Sequence, residues 1–253
     1  MKRLVIAVAL AVAFIGLGQP ANVQAASLPV NDYARLTVHG VELRSGPGLQ
    51  HGALYRVDKG EIVKVLAAAE GCVAPGCAGG WHKVQHRSTS GYLPVDVLAY
   101  TGLAGKQIAR QYSRVIVVSL ARQQMEVYQG GRLIQITPVT TGKPQTPTPT
   151  GAFKVLKKLS PYVFHSPHQP GHPEYYEPSP VNYAVKFTSR GHYLHDAPWR
   201  PNGAYGYGTN TLHPDSDVMF RQGSHGCVNI PLEATKKLWA WIRLGDVVRV
   251  VAN

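Results

Sequence analysis

The sequence predicts a mostly β protein, and three observations carry that prediction. Glycine and proline are plentiful, at 26 and 19 residues, while only 16 % of the chain is charged. Runs with helical periodicity are rare. Short alternating runs closed by Gly/Pro turns recur instead. A chain of 253 residues with 44 % apolar content suits one or two domains with an ordinary core.

The first 26 residues read as a signal peptide. Lys2 and Arg3 precede an apolar run from Leu4 to Leu17, Gln19-Pro20 ends that run, and Val23-Gln24-Ala25 offers small residues for cleavage. The run is short for a membrane span, so no stable membrane anchor is expected. Cleavage removes two positive charges and lowers the formal net charge from +12 to about +10. Export makes nucleic acid a poor partner for this basic chain, and an anionic cell envelope a better one.

Residues 32–100 form a first β module. Val41–Arg44 runs into Ser45-Gly46-Pro47-Gly48, Glu61–Leu66 follows the Lys59-Gly60 turn, and Gly80–Val84 and Gly91–Leu93 add two strands. The pattern resembles bacterial SH3-like domains, a resemblance that implies a small β-barrel used for targeting to the wall. A structural spacer is the plain alternative. Cys72 and Cys77 share one loop of this module and are expected to pair in an oxidising compartment, or else to stay reduced.

Residues 101–112 read as a linker with one helical turn. A second β domain spans 113–252. Arg114–Leu120, Gln124–Tyr128 and Leu133–Val139 are strands, with Gly130-Gly131 as a hairpin turn. Pro144, Pro147 and Pro149 force an extended path on the segment after Thr140-Thr141-Gly142-Lys143. Phe164–Pro180 is rich in aromatic, His and Pro residues and reads as either a lid or a rigid surface loop. Leu232–Leu244 is a short amphipathic helix whose Trp239 and Trp241 suit a core, and Val247–Val251 is the final strand.

Chemistry concentrates in Ser224-His225-Gly226-Cys227-Val228-Asn229. A thiol beside a histidine and a glycine has the parts of an activated nucleophile. Gly226 allows close backbone approach, and N–H groups at 226 and 227 are candidates for an oxyanion hole. An inert buried cysteine is the plain alternative, and the polar neighbours Ser224, His225 and Asn229 argue against it.

This stretch, together with the line from Val117 to Val155, resembles the L,D-transpeptidase catalytic domain over residues 113–252. The resemblance implies a β-sandwich domain that cross-links peptidoglycan stem peptides through a cysteine thioester. It implies Cys227 as nucleophile, His195 as base and His225 as accessory, with Ser224 and Gly226 shaping the turn. Tyr193, Trp199 and Asn229 are expected around the substrate. Carbapenem-type β-lactams are the expected inhibitors. No metal or organic cofactor is expected, since the chain has neither an HExxH run nor a phosphate-cradling glycine loop.

His195 departs from the family spacing. With 28 residues between it and Ser224, residues 200–222 are expected to be an inserted surface loop. His213 is the nearer rival, while His165, His168, His172 and His192 lie outside the pattern. Two other readings remain at this point: a cysteine peptidase or L,D-carboxypeptidase using water as acceptor, and a wall-binding protein without activity.

Overall fold

The computed structural model describes residues 28–70, 80–201, 203–211 and 223–253. The expected signal peptide, both cysteines of the first module and His213 lie outside the described residues.

Seven strands build the first sheet: β1 (Tyr33–Leu36), β2 (Val41–Arg44), β3 (Ala53–Val57), β4 (Ile62–Val65), β5 (Trp81–His86), β6 (Thr89–Pro94) and β7 (Leu98–Tyr100). They pair antiparallel in the order β3-β2-β6-β5-β4-β1-β7. Their inward residues Leu36, Leu43, Val57, Val63, Val65, Val84 and Leu93 form a separate core. Strand β3 went unread in the sequence because most of it is exposed, so it lacks an apolar face.

The rest of the chain stacks two further sheets. Strands β8 (Arg114–Ser119), β9 (Gln124–Gln129), β10 (Arg132–Pro138) and β11 (Gly151–Lys154) share a five-stranded sheet with the last strand, β18 (Val247–Val251). The order is β10-β9-β8-β18-β11, with β18 parallel to β8. Both residues of the β9–β10 loop, Gly130 and Gly131, have positive φ (56° and 75°), as a type I′ hairpin turn requires.

The second sheet joins β12 (Lys157–Leu159), β15 (Ala184–Lys186), β16 (Tyr193–Asp196) and β17 (Val228–Ile230) in that order. A small pair, β13 (Tyr162–Phe164) and β14 (Ser179–Val181), brackets the His/Pro-rich segment. Ile116, Val118, Met125, Val248 and Val250 from one sheet meet Val185, Leu194, Val228 and Ile230 from the other in a single core. Helix α1 (Leu232–Trp241) adds Leu238 to it, and Trp239 and Trp241 pack at its margin. Among the described residues the fold is mostly β with one α-helix, near the C-terminus, as expected.

Two connecting segments are tied to neighbouring strands. Residues 101–112, expected as a linker, are pinned along β9. The Glu126 carboxylate, fully buried, accepts the backbone N–H groups of Ala104 and Gly105, both at 2.8 Å, as well as Gln124 Nε2 and the Tyr128 hydroxyl. The described part of the 200–222 segment is not a plain surface loop. Tyr205 is buried, Gly206 N donates to Val139 O (3.0 Å), and the Arg35 guanidinium from the first sheet lies 4.0 Å from the Tyr207 ring centre. Aromatic residues at 205 and 207 supply apolar area that a solvated loop does not have.

Glu126→Gln places an amide donor against backbone donors it cannot satisfy. It is expected to cost about 2–4 kcal/mol of stability, because buried N–H groups lose their acceptor. Urea unfolding of the two chains measures this, and an unchanged midpoint contradicts it.

Candidate active site

The site is built on the parallel pairing of β16 with β17. Leu194 opposes Val228, and His195 opposes Asn229. Side chains alternate along a strand, so Tyr193, His195, Cys227 and Asn229 share one face while Leu194 and Val228 enter the core. Cys227 and His195 are diagonal neighbours on that face, the kind of separation a long side chain spans.

His195 is almost fully buried. Its Nδ1 lies 2.7 Å from the Asp196 carbonyl oxygen. A carbonyl only accepts, so Nδ1 carries the proton and Nε2 keeps its lone pair. Burial pushes the imidazole pKa down to about 4, outweighing the opposing effect of Asp196. The ring rests between Phe164 and Trp199, at centre distances of 4.7 and 5.9 Å. The buried Asp196 carboxylate in turn accepts Tyr183 N (2.7 Å), Asn182 Nδ2 (2.8 Å) and Asn182 N (3.1 Å). That fixes the peptide whose carbonyl sets the tautomer.

Cys227 is partly buried, and burial pushes its thiol up to about 11 against one opposing contact, the Tyr193 backbone N–H. Its Sγ lies 4.0 Å from the Gly191 carbonyl oxygen. At neutral pH both the thiol and the imidazole are therefore uncharged.

The turn ahead of the cysteine is held from several sides. Ser224 Oγ donates to the Cys227 carbonyl oxygen and accepts Gly226 N–H at 3.0 Å. This corrects the expectation for the oxyanion hole: the Gly226 N–H is already committed, which leaves the Cys227 N–H. Thr148 Oγ donates to Gly226 O (2.8 Å) and Thr146 Oγ1 to Ser224 O (3.0 Å), so the proline-spaced threonines brace the turn. Gly226 has φ +109°, and a Cβ there would lie 2.9–3.0 Å from the His192 ring. Only glycine fits that position without strain.

Residues 113–250 match the family model for YkuD, the L,D-transpeptidase catalytic domain. The chain belongs to the YkuD family. It is 30 % identical over 138 residues to L,D-transpeptidase 1 of Mycobacterium tuberculosis, covering 53 % of this chain and 49 % of that relative. It is 31 % identical over 118 residues to the probable L,D-transpeptidase 3 of the same organism, covering 46 % and 38 %. The chain thus spans about half the length or less of these relatives. Among solved structures, the Enterococcus faecium L,D-transpeptidase catalytic domain is 33 % identical, with 55 % of this chain and 96 % of that one covered and a TM-score of 0.44. The same domain acylated by ertapenem is 32 % identical, with 55 % and 97 % covered and a TM-score of 0.44.

Within this YkuD domain the remaining expected residues fall into distinct places. Tyr193 is 8 % exposed, walled by Tyr162 and Phe164, and is scaffold rather than open contact surface. Asn229 is also buried, with its backbone paired to Thr140 in both directions. Trp199 is half-buried beside His195. His225 turns toward the His/Pro-rich segment: its Nε2 is 3.2 Å from Glu174 Oε2, and its ring centre is 5.0 Å from that of Tyr176. That segment therefore lies against the turn ahead of Cys227.

Sequence reasoning missed four contributors: Asp196, Thr148, Glu174 and His192. His192 Nδ1 hydrogen-bonds Thr188 Oγ1 at 2.8 Å, and its ring meets Gly226. No local pattern marks any of these four, since each acts through a contact distant in sequence or through its backbone.

His195 also makes stability pH-dependent. Its folded-state pKa lies below the ordinary 6.5, so the unfolded chain binds the proton more readily. The stabilising contribution is complete above about pH 6.5 and is lost as pH falls towards 4, to the extent of about 3 kcal/mol. Unfolding midpoints from pH 7 to 4 are expected to fall less steeply for His195→Asn than for the native chain. Parallel slopes contradict the assignment.

Proposed function

We propose that this protein is a cell-envelope L,D-transpeptidase that cross-links peptidoglycan stem peptides through a thioester on Cys227. The observation that carries the reading is the His195 tautomer: Nδ1 is tied to the Asp196 carbonyl, and Nε2 is kept as a base on the face that presents Cys227. In the reaction, Sγ attacks the carbonyl carbon that follows an L-centre of the donor stem. The thiol proton passes to His195 Nε2 as the C–S bond forms. The C–N bond then breaks, and the leaving amine takes that proton. An acceptor amine next attacks the thioester, gives its proton to His195, and the Cys227 thiol is restored as the new amide forms. The Cys227 N–H faces the developing oxyanion.

With the thiol near 11 and the imidazole near 4, a resting thiolate–imidazolium pair is uphill. Proton transfer accordingly accompanies attack rather than preceding it. The seven-stranded N-terminal unit, similar to bacterial SH3-like domains, is read as the module that holds the enzyme on the wall. Residues 1–26 are read as the export signal, and Cys72 and Cys77 as a disulfide. Carbapenem-type β-lactams are read as acylating inhibitors.

Intact-mass measurement after exposure to imipenem tests the core of this reading. One adduct is expected on the native chain and none on Cys227→Ala. His195→Ala is expected to slow acylation by roughly 10²- to 10⁴-fold. An adduct on Cys72 or Cys77 overturns the nucleophile. A crippling His192→Ala beside a silent His195→Ala moves the base to His192.

A further inference from the structure

The segment between β13 and β14 places one carboxylate against the catalytic turn. Glu174 Oε2 is 2.7 Å from Lys143 Nζ and 3.2 Å from His225 Nε2. The Lys143 side chain is only 14 % exposed. Its backbone is fixed to the same turn, because Lys143 N donates to Ser224 O at 3.0 Å, and a Cβ on Gly223 would lie 2.4 Å from Lys143 N. The ammonium thus belongs to the catalytic turn, while the carboxylate it holds belongs to the covering segment. Tyr176, two residues beyond Glu174, reaches His225 from the same side. None of these contacts takes part in the thiol chemistry described above.

We propose that Lys143, with His225 beside it, is a carboxylate-binding site for the peptide substrate, and that Glu174 occupies it as an internal substitute. The proposal deepens the transpeptidase reading and rests on it for the kind of ligand: a peptide whose free carboxylate lies near the bond that Cys227 attacks. The physical case is one of exchange. A nearly buried ammonium left alone is costly, so lifting the segment without replacing its carboxylate is disfavoured. A substrate carboxylate that takes the place of Glu174 leaves Lys143 paired, and the segment is then free to move aside. A donor without that carboxylate must open the segment and strand the ammonium. The site therefore selects carboxylate-bearing peptides twice, by direct pairing and by the ease of displacing the cover. Lys143 carries the charge. Burial and the neighbouring ammonium both hold the His225 imidazole below its ordinary range, so at neutral pH it serves as a hydrogen-bonding partner.

The test uses binding rather than turnover, in the full chain carrying Cys227→Ala. The probes are Nα-acetyl-L-lysyl-D-alanine and its C-terminal amide, titrated by NMR. The free carboxylate is expected to bind about tenfold more tightly than the amide, a difference of about 1.4 kcal/mol, because its hydrogen bond to the ammonium is charge-assisted. Adding Lys143→Met is expected to bring that ratio close to one, and Lys143→Arg to preserve most of it, which separates charge recognition from a folding defect. Adding Glu174→Gln is expected to tighten the carboxylate probe several-fold and leave the amide unchanged. A ratio near one with Lys143 intact, a ratio that survives Lys143→Met, or a Glu174→Gln chain that binds the carboxylate no better overturns the proposal. The chemistry of Cys227 is absent from this measurement. Failure of imipenem to acylate the native chain would count against the transpeptidase reading alone.

Discussion

The short parallel ladder between Tyr193–Asp196 and Val228–Ile230 is the constraint on which the site depends. Parallel strands cannot be joined by a tight turn, so the chain must leave the sheet and return by a long crossover. The loop-closure cost of a longer crossover grows only logarithmically. The wide gap between His195 and Ser224 is therefore tolerable. The ladder fixes which residues face one another, and the length of the connection does not enter that geometry. Part of the added length packs, through Tyr205 and Tyr207, against the first sheet and the Val139 edge. The crossover thus ties the two halves of the molecule together beside the site.

A second constraint acts on the turn before Cys227. Thr140 pairs with Asn229 and Gly142 with Ser224, so the chain leaving β10 runs alongside the whole signature. Prolines at 144, 147 and 149 remove backbone donors and stiffen the return path, and this leaves the intervening threonine hydroxyls to bond the turn carbonyls. The proline-rich segment is thus a brace whose side chains satisfy acceptors that a regular ladder would otherwise satisfy.

Much of this architecture was legible in the sequence. Gly130-Gly131 announced its hairpin because two consecutive positive φ angles favour glycine. The family pattern singled out Cys227 and His195, which the β16–β17 ladder sets on one face, and α1 was legible through its apolar spacing. Asp196 was not, because its carboxylate acts on Asn182 and Tyr183 across a strand connection, and its carbonyl acts on His195. The role of Gly226 was half legible: its lack of a side chain pointed to close approach, but the neighbour proved to be the His192 ring, and its N–H proved to be spent on Ser224. Spacing reveals which residue types are near in sequence, whereas the hydrogen bonds that consume a donor depend on the folded path.

The electrostatics of the site follow from how dry it is. Burial raises the thiol and lowers the imidazole, so the two groups move apart in proton affinity and both rest neutral. A permanently ionised cysteine in an oxidising compartment is exposed to oxidation and disulfide exchange, since the thiolate is the reactive form. Under the proposed reaction, a thiol that rests neutral avoids that exposure between turnovers. The cost falls on the attack itself, where charge must be created in a site of low polarity. That cost is smallest when the proton moves over a short, fixed path to a base whose lone pair is already aimed. The Asp196 carbonyl meets that requirement by fixing the tautomer, and the buried Asp196 carboxylate meets it by fixing the carbonyl.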